Sequence, residues 1–191
     1  MLFTNQAKEL VRQIDSGYYE RLLLSNGKAP SAIESKDMTG VLRDMYMLEF
    51  LDLPVPYKEY DLKKAILKNM KKFLLEFGRD FIFIDEEYHV QVGNNDYYVD
   101  LLFYHRELQC LVAIDLKIDD FKPEYMGKMD FYLEALDRDI KKPHENPSVG
   151  MILCKNADTD VVEYSLSRSL SQTMIAEYKT KLIDKSILQR K

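Results

Sequence analysis

The sequence predicts an α/β domain with a mixed β-sheet flanked by helices, preceded by an N-terminal helical extension. Three observations predict this class. Residues 61–77 follow an amphipathic helical pattern, several short strand-like segments come next, and a second helical pattern at 123–140 separates them from the apolar strand 149–154. Strands followed by a helix and another strand are typical of a sheet that contains parallel and antiparallel neighbours. With 191 residues, 46% of them hydrophobic, the chain is long enough for one such domain and an appendage.

Composition limits the functional classes. The net charge of −5 argues against a simple electrostatic nucleic-acid binder, but it allows a metal-dependent enzyme whose site concentrates carboxylates. Cys110 and Cys154 lie in apolar segments and are predicted to be reduced core residues, without a disulfide or a zinc site. The N-terminus resembles no secretion signal and no apolar run approaches about 18 residues, so a cytoplasmic protein without membrane association is expected.

Residues 1–56 are predicted to form the helical extension and linker, and residues 57–191 the main domain. An apolar stripe runs through the first helix to about Leu24, a polar segment rich in turn residues follows, and a short helical piece is predicted at 44–51. Pro54 and Pro56 then interrupt the chain. A long exposed apolar stripe usually finds a partner, so the first helix predicts a homodimer.

The elements of the main domain follow from local patterns. The helix 61–77 is predicted to end at Gly78, a residue suited to terminating helices. Pro123 suits the first turn of the second helix, which is predicted to run to about Ile140. Strands are predicted at 81–84, 88–92, 97–104, 110–118, 149–154 and 173–178, with a turn at 93–96 and a last helix near 160–169.

Two acids and a lysine interrupt neighbouring apolar strands. Asp100 lies in strand 97–104, and Asp115 and Lys117 lie in strand 110–118, on one side because side chains alternate. If the two strands form a hairpin whose turn centres on Glu107 and Leu108, Asp100 lies opposite Asp115. The two carboxylates would then be about 5 Å apart.

Two carboxylates this close disfavour each other's charge unless a cation lies between them. Mg²⁺ or Mn²⁺ suits such oxygen ligands, and Lys117 could then orient an attacking water or stabilise charge on a phosphate. Glu76, at the margin of the apolar face of helix 61–77, could join the same site. The alternative interpretation is an ordinary ion pair between Asp115 and Lys117, with Asp100 at the edge of the sheet.

Several segments resemble one known family. They read "KFLLEFGRDFIFI", "YYVDLLFYHRELQCLVAIDLKI", "FKPEYMGKMDFYLEALD" and "ENPSVGMILCK". Together they closely resemble the YhcG-type domain of the PD-(D/E)XK nuclease superfamily. The resemblance implies a restriction-endonuclease-like fold, nuclease activity that depends on Mg²⁺ or Mn²⁺, a bacterial cytoplasmic setting, and nucleic acid as the partner, with DNA expected before RNA.

The resemblance also implies roles for individual residues. Asp100 matches the first acid of the motif, Asp115 its D/E position and Lys117 its lysine, while Glu76 matches the acid on the preceding helix. The expected metal ligands are these three acids and the backbone carbonyl of Leu116.

This chain departs from the family pattern at two positions. Relatives commonly have Glu in place of Asp115, and many have Gln in place of Lys128. The residues expected to contact nucleic acid are Lys128, Tyr132 and His105, although a surface histidine in the hairpin is the alternative for His105. A rival function from another class is a non-catalytic nucleic-acid-binding or assembly module that keeps the fold.

Overall fold

The computed structural model describes residues 42–78, 80–167, 169 and 171–181. The predicted first helix and its apolar stripe lie outside these residues, and so does the basis for the predicted homodimer. The elements in chain order are β1 (Met45–Met47), a 3₁₀ turn (Glu49–Leu51), α1 (Glu59–Lys68), α2 (Met70–Phe77), β2 (Phe81–Val92), β3 (Asn95–His105), β4 (Cys110–Leu116), α3 (Glu124–Ala135), a π-helical turn (Leu136–Ile140), β5 (Val149–Cys154), α4 (Thr159–Leu166) and β6 (Thr173–Lys179).

The six strands form one mixed sheet in the order β1-β6-β5-β4-β3-β2. Strands β2, β3 and β4 are antiparallel neighbours, whereas β4, β5, β6 and β1 are parallel. The predicted fold class is therefore confirmed. Strand β4 is buried along its whole length, since it lies between the antiparallel and the parallel halves.

Two apolar layers cover the sheet. On one face, α1 and α2 bury Leu62, Ile66 and Phe73 against alternate residues of β3 and β4. On the other face, α3 buries Met129 and Leu133 against the intervening residues. Both cysteines are buried and free, as predicted.

A glycine in β5 permits the close approach of α3 to the sheet. A Cβ atom at Gly150 would lie 2.6 Å from Cγ and Sδ of Met129, which is shorter than real contacts allow. The same helix bears Lys128 and Tyr132.

The predicted helix 61–77 is in fact two helices. At Asn69 the backbone takes φ −113° and ψ 26°, and the side-chain Nδ2 donates a hydrogen bond to the carbonyl of Ala65 at 3.0 Å. Asparagine competes in this way with the helical hydrogen bonds of its own backbone, so a break here has a local cause.

The segment 44–51 differs from the helix predicted there. Residues 45–47 form β1, which pairs with β6, and only the turn that follows is helical. The sheet therefore includes residues that precede the predicted domain start at residue 57. The strands predicted at 81–84 and 88–92 join into the single strand β2.

The predicted hairpin register is confirmed. Leu101 pairs with Ile114 and the ladder continues to His105 opposite Cys110, the alignment that brings Asp100 level with Asp115.

Among the described residues, no helix is both long and apolar enough to cross a membrane.

Candidate active site

Asp100 lies where the pairing of β2 with β3 is interrupted. Glu86 pairs with Leu101 and Tyr88 with Val99, whereas the residue between them, Glu87, has the left-handed φ of 45°. The carboxylate of Asp100 reaches across to β4, where its Oδ2 accepts a hydrogen bond from the backbone N–H of Leu116 at 2.9 Å. One predicted acid is thus tied directly to the strand that bears the other.

Asp115 and Lys117 are both buried at the end of β4, with 1% and 8% of their surfaces exposed. Lys117 Nζ is 2.7 Å from Asp115 Oδ2, and Lys128 Nζ is 2.8 Å from Asp115 Oδ1. The contact to Oδ2 is close but poorly directed, so that buried oxygen accepts no hydrogen bond. Lys117 Nζ also donates to the carbonyl of Leu116 at 3.2 Å.

Helix α1 adds two charged side chains that the sequence analysis did not select. Glu59 Oε1 is 3.7 Å from Lys117 Nζ. Lys63 Nζ is 3.7 Å from Asp100 Oδ1 and 2.6 Å from Glu87 Oε1. The signal for Glu59 is in the sequence, because it precedes Leu62 by three residues and Ile66 by seven and therefore points to the side of the helix that faces the sheet, although its side chain stays 46% exposed.

The electrostatics reflect this crowding of charge. Burial, and then the negative charge of Asp115, raise the pKa of Asp100, while the Leu116 N–H and the nearby lysines oppose the rise. Burial also raises the pKa of Glu59, against the opposing charge of Lys117. Burial alone would lower the pKa of Lys128, but the hydrogen bond and charge of Asp115 outweigh it and raise that pKa. The site therefore stabilises the charged form of Lys128 and disfavours ionisation of Asp100 and Glu59.

The donor set suits a hard divalent cation. It comprises the carboxylates of Asp100 and Asp115 and the carbonyl of Leu116, and one buried oxygen of Asp115 accepts no hydrogen bond. Within the described part of the chain, no three Asp, Glu, His or Cys side chains are grouped so that they alone could coordinate a metal. Magnesium sites in nucleotide-processing proteins commonly use one or two carboxylates and complete the shell with water and substrate phosphate. The residues present therefore fit such an ion.

Glu76 does not lie in this cluster. It is buried as predicted, but its described contacts are with the N-terminal segment, where Oε1 accepts from the Met47 N–H at 3.0 Å and faces Arg43 Nη1 at 3.6 Å. Strand β1 lies three strand positions from β4, about 14 Å across the sheet. Glu59 is the first residue of α1 and Glu76 lies in the last turn of α2, so the two acids lie at opposite ends of the helical segment.

Of the three residues predicted to contact nucleic acid, Lys128 and Tyr132 lie at the cluster and His105 does not. Lys128 lies in the cluster, paired with Asp115, with Nζ also 5.2 Å from the centre of the Tyr132 ring. Tyr132 is buried and its hydroxyl donates to the carbonyl of Tyr98 at 2.6 Å.

His105 is the last residue of β3, whereas Asp100 lies at the middle of that strand, about 17 Å away along it. It is only 2% exposed, its Nδ1 accepts from the Leu108 N–H, and its ring packs edge-on against Phe81. The structure does not bring His105 to the cluster, and the alternative of a surface histidine is also wrong.

Taken together, a mixed sheet in which an acid at the middle of β3 meets an acid and a lysine at the end of β4 defines a nuclease domain of the PD-(D/E)XK class. The family model of the YhcG PDDEXK nuclease domain matches residues 39–191, and the chain belongs to that family. The Escherichia coli (strain K12) protein named "Putative nuclease YhcG" is 35% identical over 188 residues, which cover 95% of this chain and 50% of that protein. The chain thus spans half the length of this relative.

Two solved structures share weaker similarity. A repair endonuclease from Pyrococcus abyssi is 15% identical, with a TM-score of 0.42 over 67% of this chain and 49% of the other. An EndoMS–dsDNA2 complex is 13% identical, with a TM-score of 0.46 over 69% of this chain and 48% of the other. Similarities at this level add nothing about the chemistry of this chain.

Proposed function

We propose that this domain is a metal-dependent nuclease that hydrolyses phosphodiester bonds of nucleic acid, with DNA as its substrate and Mg²⁺ or Mn²⁺ as its cofactor. The observation on which the proposal rests is the contact between β3 and the end of β4, where Asp100 accepts from the Leu116 N–H beside the buried pair of Asp115 and Lys117. Membership of a nuclease family supports it.

Each side chain has a role in this proposal. Asp100, Asp115 and the Leu116 carbonyl would hold the ion, and the ion would supply positive charge at the scissile phosphate and lower the pKa of bound water. Lys117 Nζ would orient the attacking water and stabilise charge on the phosphate. Glu59 faces Lys117 across 3.7 Å and would keep that ammonium in place.

Lys128 would have two successive partners. It pairs with Asp115 through Oδ1 and is 44% exposed along its side chain, so it can turn toward an incoming phosphate when a cation neutralises Asp115. A lysine can bind phosphate as a flexible point charge.

The test is incubation of the protein with labelled single- and double-stranded DNA and RNA in Mg²⁺, in Mn²⁺ and in EDTA. We expect cleavage of DNA in either metal and none in EDTA. Folded protein that yields no product in either metal would overturn the proposal and favour a non-catalytic binding or assembly module.

A further inference from the structure

An exposed aromatic pair lies next to the candidate active site on the β2–β3 hairpin. Tyr98 is 53% exposed although it sits in the middle of a strand. It pairs in register with His89, and the two ring centres are 5.3 Å apart with a 36° tilt. Large aromatic side chains usually bury most of their surface, so a half-exposed ring at this place is a candidate contact surface.

The pair is fixed from two sides. The hydroxyl of Tyr132 on α3 donates to the backbone carbonyl of Tyr98 at 2.6 Å. On the neighbouring strand, His89 Nε2 lies 2.7 Å from Asp96 Oδ1, which orients the imidazole that packs against Tyr98. The first contact fixes the backbone of Tyr98 and the second positions the imidazole against its ring, so the ring loses little conformational entropy when a flat ligand stacks on it.

The pair is also adjacent to the acids. Tyr98 precedes Asp100 by two residues, about 7 Å along β3. On β2, His89 follows Glu87 by two residues, and Lys63 joins Glu87 to Asp100. Both strands of the hairpin therefore lead from the charge cluster to the aromatic pair, over a distance comparable to that between neighbouring phosphates in a single strand.

We propose that Tyr98, supported by His89, stacks on an unpaired nucleobase beside the phosphate that is cleaved, so that the preferred substrate contains a single-stranded segment at the cleavage point. This inference rests on the proposed nuclease function and specifies its substrate class. In a duplex the faces of interior bases are covered by their neighbours, so only an unstacked base can present a face to Tyr98.

The charges around the pair favour a base over a phosphate. Asp96 and Glu87 lie on the same hairpin and would repel a phosphate placed over the rings. Cations lie instead at the cluster, where Lys63 and Lys128 can receive the backbone. Positive charge next to an aromatic platform is the usual arrangement for binding a single strand.

The test uses a DNA duplex with a short single-stranded overhang, with 2-aminopurine as the first unpaired base, and a fully paired duplex as the comparison. In EDTA, which prevents cleavage, we expect the wild type to quench the probe and to bind the overhang DNA more tightly than the duplex. Tyr98→Leu should weaken overhang binding between about 5-fold and 150-fold and abolish quenching, with duplex binding unchanged. Tyr98→Phe keeps the ring and should behave as the wild type.

Two further variants serve as controls. Tyr164→Leu makes the same change at a tyrosine that is 82% exposed on α4, and it should have no effect. His89→Ala removes the supporting ring and should weaken overhang binding less than Tyr98→Leu does. Thermal melts verify that each variant is folded.

The outcomes separate this inference from the proposed function. Equal losses for overhang and duplex DNA in Tyr98→Leu, or no loss at all, would overturn the stacking role even if the protein cleaves DNA. Quenching that depends on Tyr98 in a protein that cleaves nothing in Mg²⁺ or Mn²⁺ would support the stacking site and overturn the nuclease. A wild type that neither binds nor cleaves would overturn both.

Discussion

Buried polar side chains occur in two regions of this domain, and the two regions satisfy them differently. At the structural positions, His105 and Glu76 each accept a hydrogen bond from a backbone N–H, from Leu108 and Met47 respectively. At the strand ends, Asp115 faces two lysines, and one of its buried oxygens accepts no hydrogen bond.

The difference separates structural from functional burial. A buried polar group that contributes only to stability is expected to have directed hydrogen bonds, because an unsatisfied group costs free energy. Two carboxylates and two ammonium groups gathered in one place, with one carboxylate oxygen held by an ion pair but by no directed hydrogen bond, suit a ligand that arrives later. Substitutions in the second region should therefore affect activity, with or without a loss of stability, whereas substitutions in the first region should affect stability alone.

The largest effect is expected from Asp115→Asn. The change removes a proposed ligand charge, so cleavage should fall by at least about 100-fold and the thermal stabilisation of the wild type by Mn²⁺ should disappear. Because the change leaves the buried ammonium of Lys117 without its nearest partner, unfolding free energy in EDTA should also fall by about 1–3 kcal/mol.

Asp137→Asn is the matched control, since Asp137 accepts from the Ser148 N–H just before β5, at the opposite end of the β4–β5 ladder from Asp115. It should retain both cleavage and the response to Mn²⁺. An Asp115→Asn variant that still cleaves would remove Asp115 from the site.

Glu59→Gln should have the next largest effect. With the charge that faces Lys117 gone, the ammonium is less well positioned, and kcat at saturating metal should fall by about 10–100-fold with little change in folding stability. Glu124→Gln makes the same change in the first turn of α3 and should leave kcat unaltered. Wild-type kcat in Glu59→Gln would show that Glu59 does not act through Lys117.

Glu76→Gln should show the opposite pattern. Its carboxylate accepts the Met47 N–H and faces Arg43, so loss of its charge should lower the unfolding free energy by about 1–2 kcal/mol. The kcat of the folded fraction should be unchanged. Denaturant titration and single-turnover cleavage measure the two quantities, and a fall in kcat like that of Glu59→Gln would restore Glu76 to the site.

The smallest effect is expected at His105. Burial lowers its pKa, so the unfolded chain binds a proton more readily than the folded protein, and this contribution to stability is present above about pH 6.5 and lost as the pH falls. Asn at this position retains an acceptor in place of Nδ1 but does not titrate. In His105→Asn, unfolding free energy should therefore decline less steeply between about pH 6.5 and 5 than in the wild type, whatever the absolute loss from poorer packing. Equal slopes would contradict the assignment.

Local patterns were sufficient for the elements closest to the site. Alternation along β4 correctly put Asp115 and Lys117 together, and the polar turn around Glu107 correctly predicted the register that brings Asp100 level with Asp115. Both are short-range properties, because the side-chain period of a strand and the length of a turn are set by neighbouring residues. The strands and helices from Pro123 onward were also predicted from local patterns, because hydrophobic periodicity is likewise a property of neighbouring residues.

Tertiary structure decided which helical acid reaches those strand ends. Helical periodicity gives the direction of a side chain around the helix axis. It gives neither the place where that axis crosses the sheet nor the break at Asn69. For this reason the sequence analysis selected Glu76 and not Glu59. The burial of His105 depends on Phe81 from another strand, and β1 is three residues whose strand conformation depends on pairing with β6. By itself the sequence determined the acids and the lysine of β3 and β4, since their arrangement depends on contacts between neighbours in the chain. The choice of Glu59 from α1 and the pairing of Lys128 from α3 with Asp115 came only with the tertiary fold, because packing across the sheet joins residues far apart in sequence.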